Sequence, residues 1–312
     1  MEPELAVLVL NFNGASHLAA CLEALEGQSV QGGFEVVVID NASTDGSVEL
    51  VRSRFPAARL VANSSNLGFA GGCNAGIRAT KHPYVVLLNN DTRVRPGFLA
   101  ALRAAALSDE RAGAVTSKLV YADRPNVIQN AGTLLHDDGA GTDRGEGERD
   151  GGQYGLREEV FAFCGAAALL RREALDDCGL FDERFYMYYE DTDLSWRMRL
   201  RGWRIVYEPA AVVEHVHAST SGEWSDFFTF HVDRNRVLML IKNAPSAMVA
   251  RALRGARRRA ASRAGHPVRA GIHGRVLRSL LRNLPYITGQ RLRTRLRRRV
   301  PDADWERLLS PR

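Results

Sequence analysis

The chain opens by alternating short apolar runs with amphipathic stretches. Residues 5–10 (LAVLVL) and 34–39 (FEVVVI) have the length and near-continuous apolar character of strands buried on both faces. Residues 59–62 and 84–88 read as two further strands. Helical patterns fall between them. Residues 16–26 place Leu18, Leu22 and Leu25 on one face, and residues 47–55 follow Thr44 or Asp45 as cap. Residues 71–80 are entered through glycines, and residues 96–107 begin on Pro96. This alternation predicts an α/β fold, with a mostly parallel sheet flanked by helices.

The second half is less regular. Residues 160–170 form another apolar run, followed by a helix from Arg171. A longer helix over 190–201 stops at Gly202. Residues 203–207 and 211–214 read as two strands, and 224–243 as a helix stopped by Pro245. Residues 136–152 break the rhythm with six glycines and six acidic residues, which predicts a loop, either over the site or as a surface insertion.

With 312 residues, 45% hydrophobic and 25% charged, the chain has the proportions of a soluble globular protein, not a disordered or fibrous one. Its net charge of +6 conceals a division: residues 1–233 carry −12 and residues 234–312 carry +18. Four cysteines form no CxxC pair and read as buried thiols. The acidic Met1-Glu2-Pro3-Glu4 start predicts no export signal, hence a cytoplasmic location.

Candidate chemistry collects after the strands, where α/β sheets bind ligands. Asn11-Phe12-Asn13-Gly14, Asp40-Asn41-Ala42-Ser43-Thr44-Asp45-Gly46 and Asn89-Asn90-Asp91 are three polar strand ends. Asn66-Leu-Gly-Phe-Ala-Gly-Gly-Cys-Asn74 is a glycine-rich turn opening a helix, suited to a phosphate. Its glycine spacing and its place after the third strand disfavour a dinucleotide fold. Tyr188-Tyr-Glu-Asp-Thr-Asp193 sets three carboxylates at a helix start, where crowding would raise the pKa of a general base. Glu214-His215-Val216-His217 offers one or two imidazoles for a metal.

These pieces, in this order over about two-thirds of the chain, resemble the inverting family-2 glycosyltransferases of GT-A fold, most closely their bacterial rhamnosyltransferase-like branch. The matching stretches are Val9-Leu-Asn-Phe-Asn-Gly14, Val38-Ile-Asp-Asn-Ala-Ser-Thr-Asp-Gly-Ser47, the glycine-rich turn, Leu88-Asn-Asn-Asp91, Tyr189-Glu-Asp-Thr-Asp-Leu-Ser-Trp-Arg197 and His215. The resemblance implies a GT-A catalytic domain over 1–222 and a basic helical region over 223–312. It implies that Phe12, Asn13, Asp40, Asn66, Gly68, Asn74, Asn89, Asn90 and Arg197 contact a dTDP- or UDP-sugar, with Arg197 equally placed to be a structural ion-pair partner. Asp91 and His215 would hold Mg²⁺ or Mn²⁺. Asp191 would be the base, with Glu190 and Asp193 orienting the acceptor or Arg197 and tuning the base. Trp196 would line the sugar site or belong to the core. The acceptor would be a hydroxyl of a cell-surface glycan or a lipid-linked precursor. The rival readings are a module that holds the nucleotide sugar without turnover and a nucleic-acid-binding protein, the latter not expected without a recognition motif.

Residues 251–300 contain sixteen arginines and no acidic residue. Over 275–284, Val276, Leu277, Leu280, Leu281 and Leu284 share one helical face and Arg275, Arg278 and Arg282 the other, so a short amphipathic helix ending at Pro285 is expected. An anionic membrane surface, the acidic body of the chain itself or nucleic acid could receive this charge.

Overall fold

The computed structural model describes residues 3–216, 225–262 and 267–310. His217, a second candidate imidazole, the 222/223 division and the expected helix start at Trp224 lie outside the described residues. The apolar runs form the strands they predict: β1 (Leu5–Asn11), β2 (Phe34–Asp40), β3 (Arg59–Ala62) and β4 (Tyr84–Asn89) lie parallel in the order β3-β2-β1-β4. Helices α1 (Ala15–Glu26), α2 (Ser47–Arg54) and α3 (Gly68–Ala79) connect them. Next come β5 (Thr92–Val94), α4 (Phe98–Ser108), β6 (Ala112–Tyr121), β7 (Ile128–Asn130), β8 (Thr133–His136), β9 (Gly141–Asp143), β10 (Glu158–Glu159), β11 (Ala167–Arg171), α5 (Arg172–Cys178), α6 (Glu190–Leu200) and β12 (Arg204–His215). The sheet extends from β4 through β11, β6 and β12 to β10, with β11 antiparallel to both its neighbours.

Alternate side chains of β1 serve two helix layers. Val7 and Val9 face Leu18, Leu22, Leu99 and Leu102, whereas Ala6 and Leu8 join Ile77, Leu175, Leu194 and Met198. Both layers are needed because the strands are apolar on both faces.

The C-terminal region comprises α7 (Asp226–Asn243), α8 (Ser246–Ser262), α9 (Pro267–Arg297), α10 (Ala303–Glu306) and β13 (Leu309–Ser310). It shares a core with the sheet domain. Leu238, Met239 and Leu240 of α7, Ile287 of α9 and Trp305 pack with Leu135, Phe161, Trp196 and Leu200. Trp196 is fully buried, its ring 5.5 Å from Phe161 and 5.2 Å from Trp305, so it belongs to the core.

Three sequence expectations are corrected. The strands over 203–207 and 211–214 are one strand, β12, with a register shift between Glu208 and Val212 that accommodates Pro209. Residues 136–152 are no simple loop: β8 pairs with β9, and Asn130 Nδ2 donates to Asp143 at 2.6 Å. Pro285 does not end a helix but lies inside the 31-residue α9. The lost N–H is offset by packing: Ile287 is buried against α7, and Arg291 Nη1 donates to the carbonyls of Ile241 (2.5 Å) and Ala244 (2.9 Å).

Candidate functional site

The parallel strands end in register, Asn11 beside Asp40 and Leu10 beside Asn89, so their polar C-termini form one rim. Asn11, fully buried, ties the rim together. Its Nδ2 donates to Asp40 Oδ1 (3.0 Å) and Ser43 Oγ (3.1 Å), and its Oδ1 accepts from Asn90 Nδ2 (2.7 Å). Asp40 is 2% exposed and also accepts from the Ser43 amide at 2.9 Å, so it braces the rim from beneath. Above it, Asn13 has φ +50° and binds the 43–44 turn: its amide donates to Ser43 Oγ (2.9 Å) and its Oδ1 accepts from the Thr44 amide (2.8 Å). Phe12 is half-buried beside it.

At the β4 end, Asp91 and His215 meet although 124 residues separate them. Strand β5 pairs antiparallel with β12, setting His215 opposite Thr92, and His215 Nε2 lies 3.2 Å from Asp91 Oδ1. Gln129 Oε1 stands 2.8 Å from His215 Nδ1, an arrangement in which Nδ1–H donates and Nε2 faces the carboxylate. Asn89 contributes backbone: its N–H donates to Ala166 O at 2.9 Å and its C=O accepts from Thr92 Oγ1 at 2.6 Å.

The 164–166 turn links this end to α6. Gly165 N–H donates to Asp191 Oδ2 at 3.1 Å, and Asp191 Oδ1 accepts from the Thr192 amide (2.6 Å) and hydroxyl (3.1 Å). Burial raises the Asp191 pKa above the usual carboxylate range, and these donors only partly offset it. Glu190 is 5% exposed, and its Oε2 has no hydrogen-bond partner among the described residues. Burial first, then the Asp191 charge, pushes its carboxyl well above the ordinary value.

Two expectations are decided between their alternatives and one is corrected. Asp193 pairs with Arg197 and does not face an acceptor. It is fully buried, with Arg197 Nε (2.9 Å) and Lys242 Nζ (3.0 Å) on Oδ2 and Asn243 Nδ2 (2.8 Å) on Oδ1. Burial alone would raise its pKa, but Lys242 and Arg197 hold it below the usual range. Arg197 is not at the donor: its guanidinium caps the carbonyls of Cys178, Gly179 and Leu180. Asn74 is likewise structural, pairing with the Phe181 backbone in both directions and with Glu183.

Asn66 Oδ1 accepts from the Gly68 amide at 2.9 Å and shapes the entry of α3. Gly68 has φ +69°, and a Cβ there would lie 2.5 Å from Tyr186 O. That contact belongs to an unusual segment. Tyr186, Tyr188 and Tyr189 all have positive φ (+65°, +70° and +68°), a strained backbone for non-glycine residues. Asn235 on α7, fully buried, holds it: Nδ2 donates to the carbonyls of Phe185 (2.9 Å), Met187 (2.8 Å) and Tyr188 (2.7 Å). The β8–β9 hairpin also docks here, Gly141 N–H donating to Tyr189 Oη at 3.1 Å. Gln129, Asn235 and Lys242 were not legible as site-organising residues. The one available signal was weak: polar residues inside otherwise apolar helical or strand patterns.

Residues 3–233 match the family described as glycosyltransferase like family 2. An N-acetylglucosaminyl-diphospho-decaprenol L-rhamnosyltransferase of Mycobacterium tuberculosis (strain CDC 1551 / Oshkosh) is 30% identical over 71% of this chain and 79% of its own length. Among solved structures, a mannosyltransferase from Pyrobaculum calidifontis in complex with GDP-Man and Mn²⁺ superposes with a TM-score of 0.56 at 21% identity, covering 95% of this chain and 86% of that one. GalNAc-T7 with UDP, GalNAc and Mn²⁺ gives a TM-score of 0.62 at 14% identity over 77% of this chain, which spans about half (48%) of that neighbour. The chain therefore belongs to glycosyltransferase family 2 and is a glycosyltransferase of GT-A fold.

Proposed function

We propose that the chain transfers rhamnose, with inversion, from dTDP-rhamnose to a hydroxyl of a lipid-linked cell-surface glycan precursor. The observation that carries this reading is the junction at the β4 end. Asp91 and His215 lie 3.2 Å apart, and the neighbouring 164–166 turn holds Asp191 through Gly165 N–H. The choice of sugar and acceptor is supported by the mycobacterial relative, whose name carries both.

Among the described residues no group of three or more His, Cys, Asp or Glu side chains could hold a metal. One carboxylate and one imidazole suit a divalent cation that completes its shell with substrate and water. Gln129 behind His215, 2.8 Å from Nδ1, fixes the ring orientation that such an imidazole needs. Asp91 and His215 would therefore hold Mg²⁺ or Mn²⁺, which when bound neutralises charge on the leaving diphosphate. Two solved neighbours were crystallised with Mn²⁺, which supports the cation class.

Phe12 stacks on the nucleotide base, with Asp40, Asn13 and Asn90 shaping the rim. Asn66 and Gly68 form the second wall. Asp191 accepts the proton of the attacking hydroxyl, and burial, by raising its pKa, makes it a stronger base than a solvated carboxylate. Burial raises the Glu190 pKa further above its ordinary value than that of Asp191, whose carboxylate alone accepts from the Gly165 and Thr192 donors.

Calorimetric titration of dTDP- and UDP-sugars, with and without Mn²⁺, tests donor choice; absence of binding by every nucleotide sugar would overturn the reading. For Asp191→Asn, donor binding should survive while kcat falls by roughly 10²–10⁴-fold. Wild-type turnover in that variant removes Asp191 as base.

A further inference from the structure

We propose that the outer face of α9 docks on an anionic lipid surface. The inner face of this helix is settled: Ile272, Val276 and Ile287 are 4%, 9% and 1% exposed. The outer face is apolar and uncovered. Leu277, Leu281, Leu284, Leu292 and Leu296 are 47–77% exposed, and they make up five of the ten large hydrophobic side chains exposed among the described residues. At 3.6 residues per turn the five fall within about one third of the helix circumference. A stripe of this kind, unlike scattered surface leucines, marks a contact surface.

Charge decides the occupant. Arg275, Arg278, Arg282 and Arg293 run along one edge of the stripe and are exposed. Arg278, Arg282 and Arg293 make no ion pair among the described residues, and the nearest carboxylate to Arg275 is Asp226 at 3.9 Å. No acidic residue occurs anywhere in α9. Other basic residues of this region are already neutralised by the body of the protein: Arg299 pairs with Asp177, Arg307 with Glu159, and Lys242 with Asp182 and Asp193. Arg278, Arg282 and Arg293, beside the stripe, keep their charge unpaired among the described residues. Nucleic acid would use the arginines and leave the leucines in water; an apolar protein groove would bury the leucines and gain nothing from the cations. An anionic bilayer takes both, with leucines at the acyl boundary and guanidinium groups among the phosphates. The helix lies on such a surface and does not cross it, since no helix among the described residues is long and apolar enough to span a membrane.

This inference deepens the proposed transfer to a lipid-linked acceptor and rests on it only for its purpose. Vesicle binding needs neither donor nor acceptor, so the two can fail separately. The full chain is sedimented with phosphatidylcholine vesicles with and without phosphatidylglycerol. Binding is expected with phosphatidylglycerol alone and should weaken as salt rises, through screening. The triple substitution Leu277→Gln, Leu281→Gln, Leu292→Gln should lower partitioning about tenfold or more. Arg278→Gln with Arg282→Gln should lower it about tenfold. Both variants alter exposed side chains and should keep wild-type melting temperature and nucleotide binding. Failure to sediment with phosphatidylglycerol vesicles at low salt overturns the proposal, as does binding indifferent to either variant. A dimer in light scattering that the leucine variant dissolves would assign the face to a second copy and overturn it too.

Discussion

Replacing Asn235 by alanine probes how the C-terminal helices act on the reaction site. The side chain is fully buried and spends its amide on three carbonyls of the 185–188 segment, at 2.7–2.9 Å. A buried neutral hydrogen bond contributes about 1 kcal/mol net; the two N–H groups shared among the three carbonyls, with the bond that Oδ1 accepts from Arg234 Nε, make the cost of alanine about 3 kcal/mol. In a chain of this size each kcal/mol moves the melting temperature by roughly 2 °C, giving a drop of about 6 °C by scanning calorimetry. The larger consequence is local. Tyr186, Tyr188 and Tyr189 are held at positive φ, each storing about 1–3 kcal/mol, and release of the clamp lets them relax. Asp191 lies two residues beyond Tyr189, and a displacement of about 1 Å can cost about 100-fold in rate. The expected result is a kcat reduced about 10- to 100-fold with donor KM within threefold. Asn235→Asp should be at least as damaging, because a carboxylate would oppose three carbonyl oxygens. If alanine lowers the melting temperature as calculated but leaves kcat within twofold, the segment does not set the base and the reasoning fails.

Burial raises the Glu190 pKa, so the folded protein binds this proton at a higher pH than the unfolded chain does. Its ionised form therefore costs stability that is absent below the unfolded value, about 4.3, and grows as pH rises toward the folded one. Glu190→Gln should raise the melting temperature at pH 8 and be neutral at pH 4; equal effects at both would contradict the assignment. Gly68→Ala would put a Cβ 2.5 Å from Tyr186 O at a left-handed φ, so donor affinity should drop at least tenfold by calorimetry. Unchanged affinity would detach this turn from the donor. Burial lifts the Cys21 and Cys178 thiols to about 12 and those of Cys73 and Cys164 well above their ordinary value. Iodoacetamide at pH 8 should leave all four unmodified until denaturant is added, as mass spectrometry would show.

The sheet was legible because its strands are continuous apolar runs, a pattern that only a doubly covered strand can bury. The strand ends were legible for the same reason, since a polar residue directly after such a run sits at the rim. The meeting of Asp91 with His215 was legible only through the family resemblance; nothing local predicts that β5 pairs with β12. Asn74 and Arg197 show the opposite failing. Both fall inside matching stretches, yet each satisfies buried backbone groups, a demand that leaves the same letters in a sequence as ligand binding does. Asn235 gave only the weak signal of a polar residue in an apolar helical pattern, because the carbonyls it holds lie about fifty residues upstream. Pro285 misled because the rule that proline stops a helix holds for isolated helices, and α9 is held by its packing on α7.

The three carboxylates of α6 show why reading them as one crowded cluster is incomplete. The helical period sends residues 190, 191 and 193 in different directions, and each meets a different environment. Glu190 is buried with Oε2 unpartnered among the described residues, and burial raises its pKa well above the ordinary value. Asp191 meets the N–H donors of Gly165 and Thr192 and can carry charge. Asp193 meets Arg197 and Lys242, and its charge is cancelled in the core. Asp191 is thereby the carboxylate of the three that meets N–H donors at the 164–166 turn. Lys242 and Asn243, which complete this partition, lie on α7 beyond residue 233, where the family match ends. The protonation pattern of the site is thus written partly outside the stretch that identifies the family, and Lys242→Met, by stranding Asp193, should damage transfer as well as stability.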